Sequence, residues 1–241
     1  MKLLQYKLVF VFCLLFKTLF SAQEYDDVRY AKVLNQLKLN SSQIHSELYT
    51  EKKMPNAEDS YIIVVPILQG KLEADGFSVK NTILITNTDG KITNKYVDPI
   101  EFGSDAIMLQ SFTIDTGLYN LNSTTRAFGI SANYRGSSGP NPYSSSDISM
   151  YYPEGKTLKK VLEGYNLRRY GGEWDMNCSG EFEEDHSVII LDQVKTNGFA
   201  NLKIKTESIK TISKEINGEC SENKTSKISY KTLKFSKGMY K

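Results

Sequence analysis

Six carboxylates lie within thirteen residues of one segment, from Glu173 to Asp185, beside the only tryptophan of the chain, Trp174. Glycoside hydrolysis needs two carboxyl groups that face each other across a sugar bond. Glu173, Glu181 and Glu183 are therefore candidate catalytic residues of a carbohydrate-active hydrolase, with Trp174 as an aromatic platform nearby. Carboxylates two residues apart on a strand share one face, but their spacing in the sequence does not give their separation across a cleft.

The same segment admits other interpretations. Oxygen ligands from Asp, Glu and Asn suit Ca²⁺, but the Asp-x-Asp-x-Asp-Gly spacing of a dedicated calcium loop is missing. We therefore predict no metal site and no cofactor, and keep calcium as an alternative. Nucleophilic catalysis by His186 lacks a Gly-x-Ser-x-Gly elbow. In the structural interpretation, which we favour, a disulfide holds a glycine-rich turn, Trp174 packs over it, and the acids line a solvated strand face.

A second polar segment is the loop Arg135 to Asp147, which is rich in Gly, Ser and Pro. Tyrosines supply rigid amphipathic area and serines supply adaptable hydrogen bonds, which is the composition of a surface that binds a glycan or a protein. An ordinary long turn is the alternative. The tyrosines expected around this loop are Tyr134, Tyr143, Tyr151 and Tyr152. We predict that Tyr143, Trp174 and Asp175 take part in binding.

The first 22 residues have the pattern of a signal peptide cleaved after Ala22. Lys2 and Lys7 precede an apolar run from Leu8 to Phe16, which is shorter than the roughly 20 residues of a membrane-spanning helix. We expect export, to the periplasm or the exterior, without a permanent membrane anchor. The formal net charge of the whole chain is only +2, so the sequence lacks the basic field of a nucleic-acid-binding protein.

Two cysteines remain after this cleavage, Cys178 and Cys220. Both enter an oxidising compartment together, so we expect them to form a disulfide. Closing a loop of this length stabilises a fold by about 4 kcal/mol in the chain-entropy treatment. Two unpaired buried thiols are the alternative.

The hydrophobic pattern predicts a mainly β fold, an antiparallel sandwich or barrel-like sheet of about ten strands preceded by an N-terminal helix. The helix is indicated over residues 26–37 by apolar residues at i, i+3, i+4 and i+7. From Tyr61 onward, strand-like runs follow at spacings too short for the crossover helices of a parallel sheet. We expect residues 23–241 to form a single domain, with an alternative minor boundary near residues 98–105.

The clearest hairpin spans residues 81–97. Asp89 and Gly90 predict a type I′ turn, which pairs Ile83 with Tyr96 and places Ile85 opposite Asn94. One face of this hairpin is expected to be buried and the other wet.

Five segments between Thr113 and Asp192 carry a resemblance: IDT at 114–116, RAFG at 126–129, GSSGPNPYS at 136–144, LEG at 162–164 and GEWDMNCSGEFE at 172–183. They resemble a family of uncharacterised exported bacterial proteins. The resemblance covers about a third of the chain. It implies export and a disulfide at Cys178, and it supplies no reaction.

The sequence therefore predicts an exported envelope or secreted β-domain that acts by binding a partner, an envelope protein or a glycan. Motifs for phosphate, dinucleotide and zinc-protease sites are missing from the sequence. Carbohydrate hydrolysis near Trp174 remains the alternative function.

Overall fold

The computed structural model describes residues 25–55, 57–70 and 76–241. Within these residues, no helix has the length and apolar character needed to cross a bilayer. The predicted signal peptide lies outside the described residues.

One helix, α1 (Asp27–Leu37), is followed by two short 3₁₀ turns at Ser41–Gln43 and Ser46–Leu48. The strands are β1 (Thr50–Lys53), β2 (Tyr61–Leu68), β3 (Phe77–Thr86), β4 (Ile92–Ser104), β5 (Ile107–Asn120), β6 (Arg126–Gly136), β7 (Tyr143–Glu154), β8 (Thr157–Trp174), β9 (Gly180–Thr196), β10 (Phe199–Ile216), β11 (Glu219–Leu233), β12 (Phe235–Ser236) and β13 (Met239–Tyr240).

Eight strands form a nearly closed barrel in the order β1-β2-β3-β4-β8-β7-β6-β5. Lys52 links the two ends of this order, because its Nζ donates a hydrogen bond to the carbonyl oxygen of Ile114 at 3.0 Å. All pairings around the barrel are antiparallel except the contact of β4 with β8, a single parallel bridge between Lys95 and Thr157. The predicted fold class, mainly β, barrel-like and preceded by a helix, is confirmed.

The second half of β8 leaves the barrel and carries three further strands. Residues 168–174 of β8 pair with residues 180–186 of β9, which continues through β10 to β11. The β10–β11 ladder is unbroken from Leu202 opposite Leu233 to Ile216 opposite Glu219. We call residues 168–174, 180–186, 207–216 and 219–228 the arm. Its outer strand, β11, is exposed along almost its whole length.

Three apolar clusters hold the fold together, because the barrel strands bury side chains on their inner face and on their outer face. Phe112, Phe128 and Tyr151 fill the barrel interior. Helix α1 packs Val33 and Leu34 against the outside of β2 and β3. The base of β9 and β10 covers the outside of β7 and β8. There, Leu202 and Ile204 form one apolar cluster with Ile148, Met150, Val161 and Leu162.

The hairpin of β3 and β4 has the predicted register, with Ile83 opposite Tyr96 and Ile85 opposite Asn94. Its turn is different from the prediction. Only Gly90 has a positive φ, of +81°, and the register shifts by a bulge next to it. This is a type I turn followed by a bulge, not a type I′ turn. On the face predicted to be wet, Thr88, Lys91, Thr93 and Lys95 are exposed. On β3, Leu84 and Thr86 are buried on that face, and Leu84 packs with Val33 and Leu34 of α1.

The alternative boundary near residues 98–105 falls on β4, which continues to Ser104. Cys178 and Cys220 form the expected disulfide, with their Cα atoms 5.2 Å apart.

Candidate functional site

The two polar segments singled out in the sequence meet at the end of the arm. The backbone N–H of Trp174 donates to the carbonyl oxygen of Pro140 at 2.8 Å, and Tyr143 lies opposite Gly171 in the β7–β8 ladder. The end of the Met176 side chain packs against Gly139. We call residues 139–143 and 173–177 the tip.

The turn between β8 and β9 is built by Asp175. Its Oδ1 accepts backbone hydrogen bonds from Asn177 at 2.8 Å and Ser179 at 2.9 Å, and its own N–H donates to the carbonyl oxygen of Ser179. Such an Asx turn fixes the backbone locally. One carboxylate oxygen of Asp175, which the sequence predicts to bind a partner, therefore already stabilises the turn. In the same turn, Met176 has a φ of +62°.

The disulfide fixes the tip to the far hairpin of the arm. Cys178 lies in the β8–β9 turn and Cys220 follows the β10–β11 turn, so the bond joins the two hairpin ends. Trp174 and Met176 keep 37% and 58% of their surface exposed on this cross-linked frame. The tip thus presents apolar side chains on a backbone that is held by a covalent bond and a ladder.

One glycine position explains how the aromatic side of the tip is packed. A Cβ atom at Gly172 would come within 2.5 Å of the Phe182 ring and of the Glu181 carbonyl oxygen. Only glycine leaves room there, and Phe182 stacks on Tyr170 with ring centroids 6.0 Å apart. Phe182, Tyr170, Tyr143 and Trp174 line a shallow hollow whose floor includes the disulfide.

The carboxylates lie on the other face of the arm. Glu173 is directly opposite Glu181 in the β8–β9 ladder, and both side chains are exposed. Glu183 follows two residues later on the same face, whereas Trp174 and Phe182 alternate to the opposite face. The three candidate catalytic residues therefore come together on one face. Trp174 alternates to the opposite face but lines the same open groove as these carboxylates.

A cation neutralises part of this acidic face. Lys210 on β10 places its Nζ 2.9 Å from Oε2 of Glu181. The hydrogen bond and positive charge of Lys210 lower the pKa of Glu181, and Glu181 in turn raises the pKa of Lys210. A general acid in glycoside hydrolysis needs a raised pKa. The shift of Glu181 has the opposite direction.

No protein family, curated protein or solved structure matches the chain. The resemblance to exported bacterial proteins therefore stays a prediction. Within the described ranges, no three His, Cys, Asp or Glu side chains come together as a set that could hold a metal ion.

Three of the four tyrosines expected around the loop lie elsewhere. Tyr151 points into the barrel, where it is 1% exposed, and Tyr134 packs against the same interior cluster. Tyr152 packs against Phe199, with ring centroids 5.9 Å apart. The expectation was wrong for these residues because β6 extends to Gly136 and β7 starts at Tyr143, inside the segment predicted as a loop, so that these tyrosines lie on barrel strands. Tyr143 alone belongs to the tip.

A buried polar cluster in the barrel wall was not anticipated. Lys160 Nζ lies 2.8 Å from Asp98 Oδ1 and 3.1 Å from Glu163 Oε2. Tyr151 donates its hydroxyl proton to Asp98 Oδ2 at 2.8 Å. The side chains of Lys160 and Asp98 are 5% and 1% exposed. The only signal in the sequence is an Asp-Pro pair, at residues 98–99, next to a strand-like run.

Proposed function

We propose that this protein is an exported bacterial β-domain, periplasmic or secreted, that acts by binding a partner through the tip. The observation that carries the proposal is the contact between two segments, 139–143 and 173–177, which lie 30 residues apart in the sequence. The disulfide between Cys178 and Cys220 supports export, because such bonds persist outside reducing compartments.

The construction of the tip favours recognition by contact. A surface that is already ordered loses little conformational entropy when a partner binds. Tryptophan, tyrosine and methionine are enriched at the centres of protein interfaces, and Trp174, Tyr143 and Met176 occupy the tip. Carboxylates on the neighbouring face add hydrogen-bond acceptors, which either a glycan or a polypeptide can use.

Site-specific photo-crosslinking tests this proposal in the producing cells. A photoreactive residue at Asn141, which is exposed in the tip, should yield a discrete adduct. The matched control is the same residue at Leu118, which is 70% exposed and lies on β5. Mass spectrometry of the adduct distinguishes a protein from a glycan. Identical adduct patterns at the two positions would refute the assignment of the tip.

Trp174→Ala gives a second test with the partner so identified. We expect its affinity to fall at least tenfold, as for a central aromatic residue of an interface. Tyr230→Ala is the matched control, because Tyr230 is a 59% exposed aromatic residue on β11 outside the tip. Equal affinity losses in the two variants would contradict a specific contact by Trp174.

Carbohydrate hydrolysis is the alternative, and one observation supports it. Glu173 and Glu181 are direct cross-strand neighbours, a relation that brings Cβ atoms to about 5 Å and fits the carboxyl spacing of retaining glycosidases. The exposure of both residues and the lowered pKa of Glu181 favour binding instead. Turnover of an envelope glycan that is lost in Glu173→Gln would establish the hydrolase.

A further inference from the structure

The barrel interior contains a partly open cavity of about 170 Å³ that is separate from the tip. Most of its wall is apolar and comes from Ile100 and Phe102 on β4, Phe112 on β5, and Ile130 and Ala132 on β6. Tyr151 and Ser149 on β7 close another side. A cavity of this composition can bind a small apolar molecule, since an engineered cavity of about 150 Å³ lined by Leu, Ile and Phe binds benzene.

One buried polar group in this wall has no partner. Asn81 on β3 is 2% exposed, lines the cavity, and has no hydrogen-bond partner for its Oδ1 among the described residues. Burying a polar atom without a hydrogen bond costs free energy. In native folds almost all such atoms have a partner, which can be a bound molecule or an ordered water.

The backbone around Asn81 departs from a regular ladder, and this leaves few N–H groups near Asn81 Oδ1. Lys80 pairs with Glu101 and Thr82 with Val97, so three residues of β4, Asp98 to Ile100, bulge opposite Asn81 alone. On the other side, Asn81 is opposite Pro66, which has no N–H to donate. The local backbone therefore offers Asn81 few donors.

Three other polar side chains of the cavity are already engaged. Asp147 accepts hydrogen bonds from Asn166 at 2.9 Å and Ser145 at 3.2 Å. Ser149 Oγ accepts the N–H of Gly164 at 3.0 Å, and the Tyr151 hydroxyl donates to Asp98. What the cavity lacks is a hydrogen-bond donor directed at Asn81.

The cavity reaches the gap between β4 and β8. These strands share one bridge, Lys95 with Thr157, and then separate. Ile100 on β4 and Gly164 on β8 line the cavity from the two sides of this gap. Beside the Lys160–Asp98 ion pair, entry of a small molecule at this gap would break no strand ladder.

We propose that the barrel interior binds a compact, mainly apolar molecule that carries one hydrogen-bond donor, of the size of a singly substituted benzene ring. The ring fills the space among Phe102, Phe112 and Ile130, and its hydroxyl or amino group donates to Asn81 Oδ1. This site is independent of the tip, so its failure would leave the proposed function standing.

Phenol and toluene are the probes, because they have nearly the same shape and differ in one donor. We expect ligand-observed NMR to show binding of phenol at one site, about tenfold tighter than toluene, which corresponds to one net hydrogen bond. In Asn81→Leu the preference for phenol should disappear. Thr82→Val, at the next position on the opposite and also buried face of β3, is the matched control and should keep it.

A variant that fills the cavity completes the test. Ala132→Leu places three further carbons in the space and should abolish binding of both probes, while circular dichroism confirms the fold. If this variant does not fold, Ile130→Phe serves the same purpose. The proposal is overturned if neither probe binds the unmodified protein, which would make the cavity a site for water only, or if Asn81→Leu keeps the preference for phenol.

Discussion

Lys160→Met is the substitution that most directly tests how the barrel wall is held together. The ammonium group of Lys160 lies 2.8 Å from Oδ1 of Asp98, in the region where β4 and β8 share a single bridge. The two side chains are 5% and 1% exposed, so water does not screen the pair. This ion pair replaces the ladder that the two strands do not form.

The expected loss in free energy of unfolding follows from the contacts that Asp98 keeps after the substitution. Asp98 keeps hydrogen bonds from the Tyr151 hydroxyl at 2.8 Å and from the Ile100 N–H at 3.1 Å, but it loses its counter-charge. Removing one partner of a buried ion pair costs about 3–5 kcal/mol. Because two hydrogen bonds remain, and methionine retains the apolar stem of lysine, we expect a loss of about 3 kcal/mol.

The pH dependence has a defined sign. Burial alone lowers the pKa of Lys160, but the hydrogen bond and charge of Asp98 outweigh it, so that the pKa lies above its ordinary value of 10.5. A raised pKa means that the ion pair contributes fully below the pKa of the unfolded chain. Its contribution is lost as the pH rises through the folded-state value. Measurements at pH 7 therefore capture the whole effect.

Urea unfolding followed by far-UV circular dichroism measures the change. Lys159→Met is the control, because Lys159 is 53% exposed and its pair with Glu154 lies on the surface. It should change the free energy of unfolding by less than about 0.5 kcal/mol. Adding Asp98→Asn to Lys160→Met should recover part of the loss, since no buried charge then stays uncompensated. A difference of about 1 kcal/mol is on the order of measurement error plus surface effects. If the two variants lose free energy of unfolding to within that amount of each other, the reasoning is refuted.

Three further predictions concern other parts of the chain. Replacing Cys178 and Cys220 by Ser should lower the free energy of unfolding in urea by about 4 kcal/mol; an unchanged value would contradict a stabilising bridge. Burial lowers the pKa of His45 below its ordinary 6.5, so stability should fall as the pH drops from 7 through this range; His45→Phe should remove that dependence and His186→Gln, the control, should retain it. Mass spectrometry of the exported protein should find Gln23 at its N-terminus, and retention of residues 1–22 would contradict cleavage.

The barrel and helix could be predicted because their residues follow simple periods. Val33 and Leu34 mark the buried stripe of α1, and alternation along β3 fixes which residues of the hairpin oppose each other. The predicted turn type was wrong because a type I′ turn needs two residues with positive φ. In this turn Gly90 alone has one. The wet face was predicted correctly at Thr93 and Lys95 but not at Thr86, because nothing in β3 itself shows that α1 folds back over the outer face of this strand.

The tip could be predicted only in pieces. Its composition identified Tyr143 and Trp174, and the pairing of Cys178 with Cys220 followed because two cysteines remained. The contact of Pro140 with Trp174 has no such signal, because it depends on how far the β7–β8 ladder extends beyond Tyr143. Long-range registers of this kind are set by the whole sheet.

The buried polar groups show why period-two patterns lose information at bulges. In a regular strand, Asp98 followed by Pro99 indicates an end, because an unpaired carboxylate cannot stay buried and proline cannot donate to a ladder. Here β4 continues, since Lys160 and Tyr151 satisfy the carboxylate from strands more than 50 residues away. The bulge that admits Asp98 also leaves Asn81 without a backbone neighbour to bond. The ion pair that closes the wall and the unpartnered Oδ1 of Asn81 in the cavity therefore have one cause, the two extra residues of β4, and that cause becomes visible only when β3, β4 and β8 are seen together.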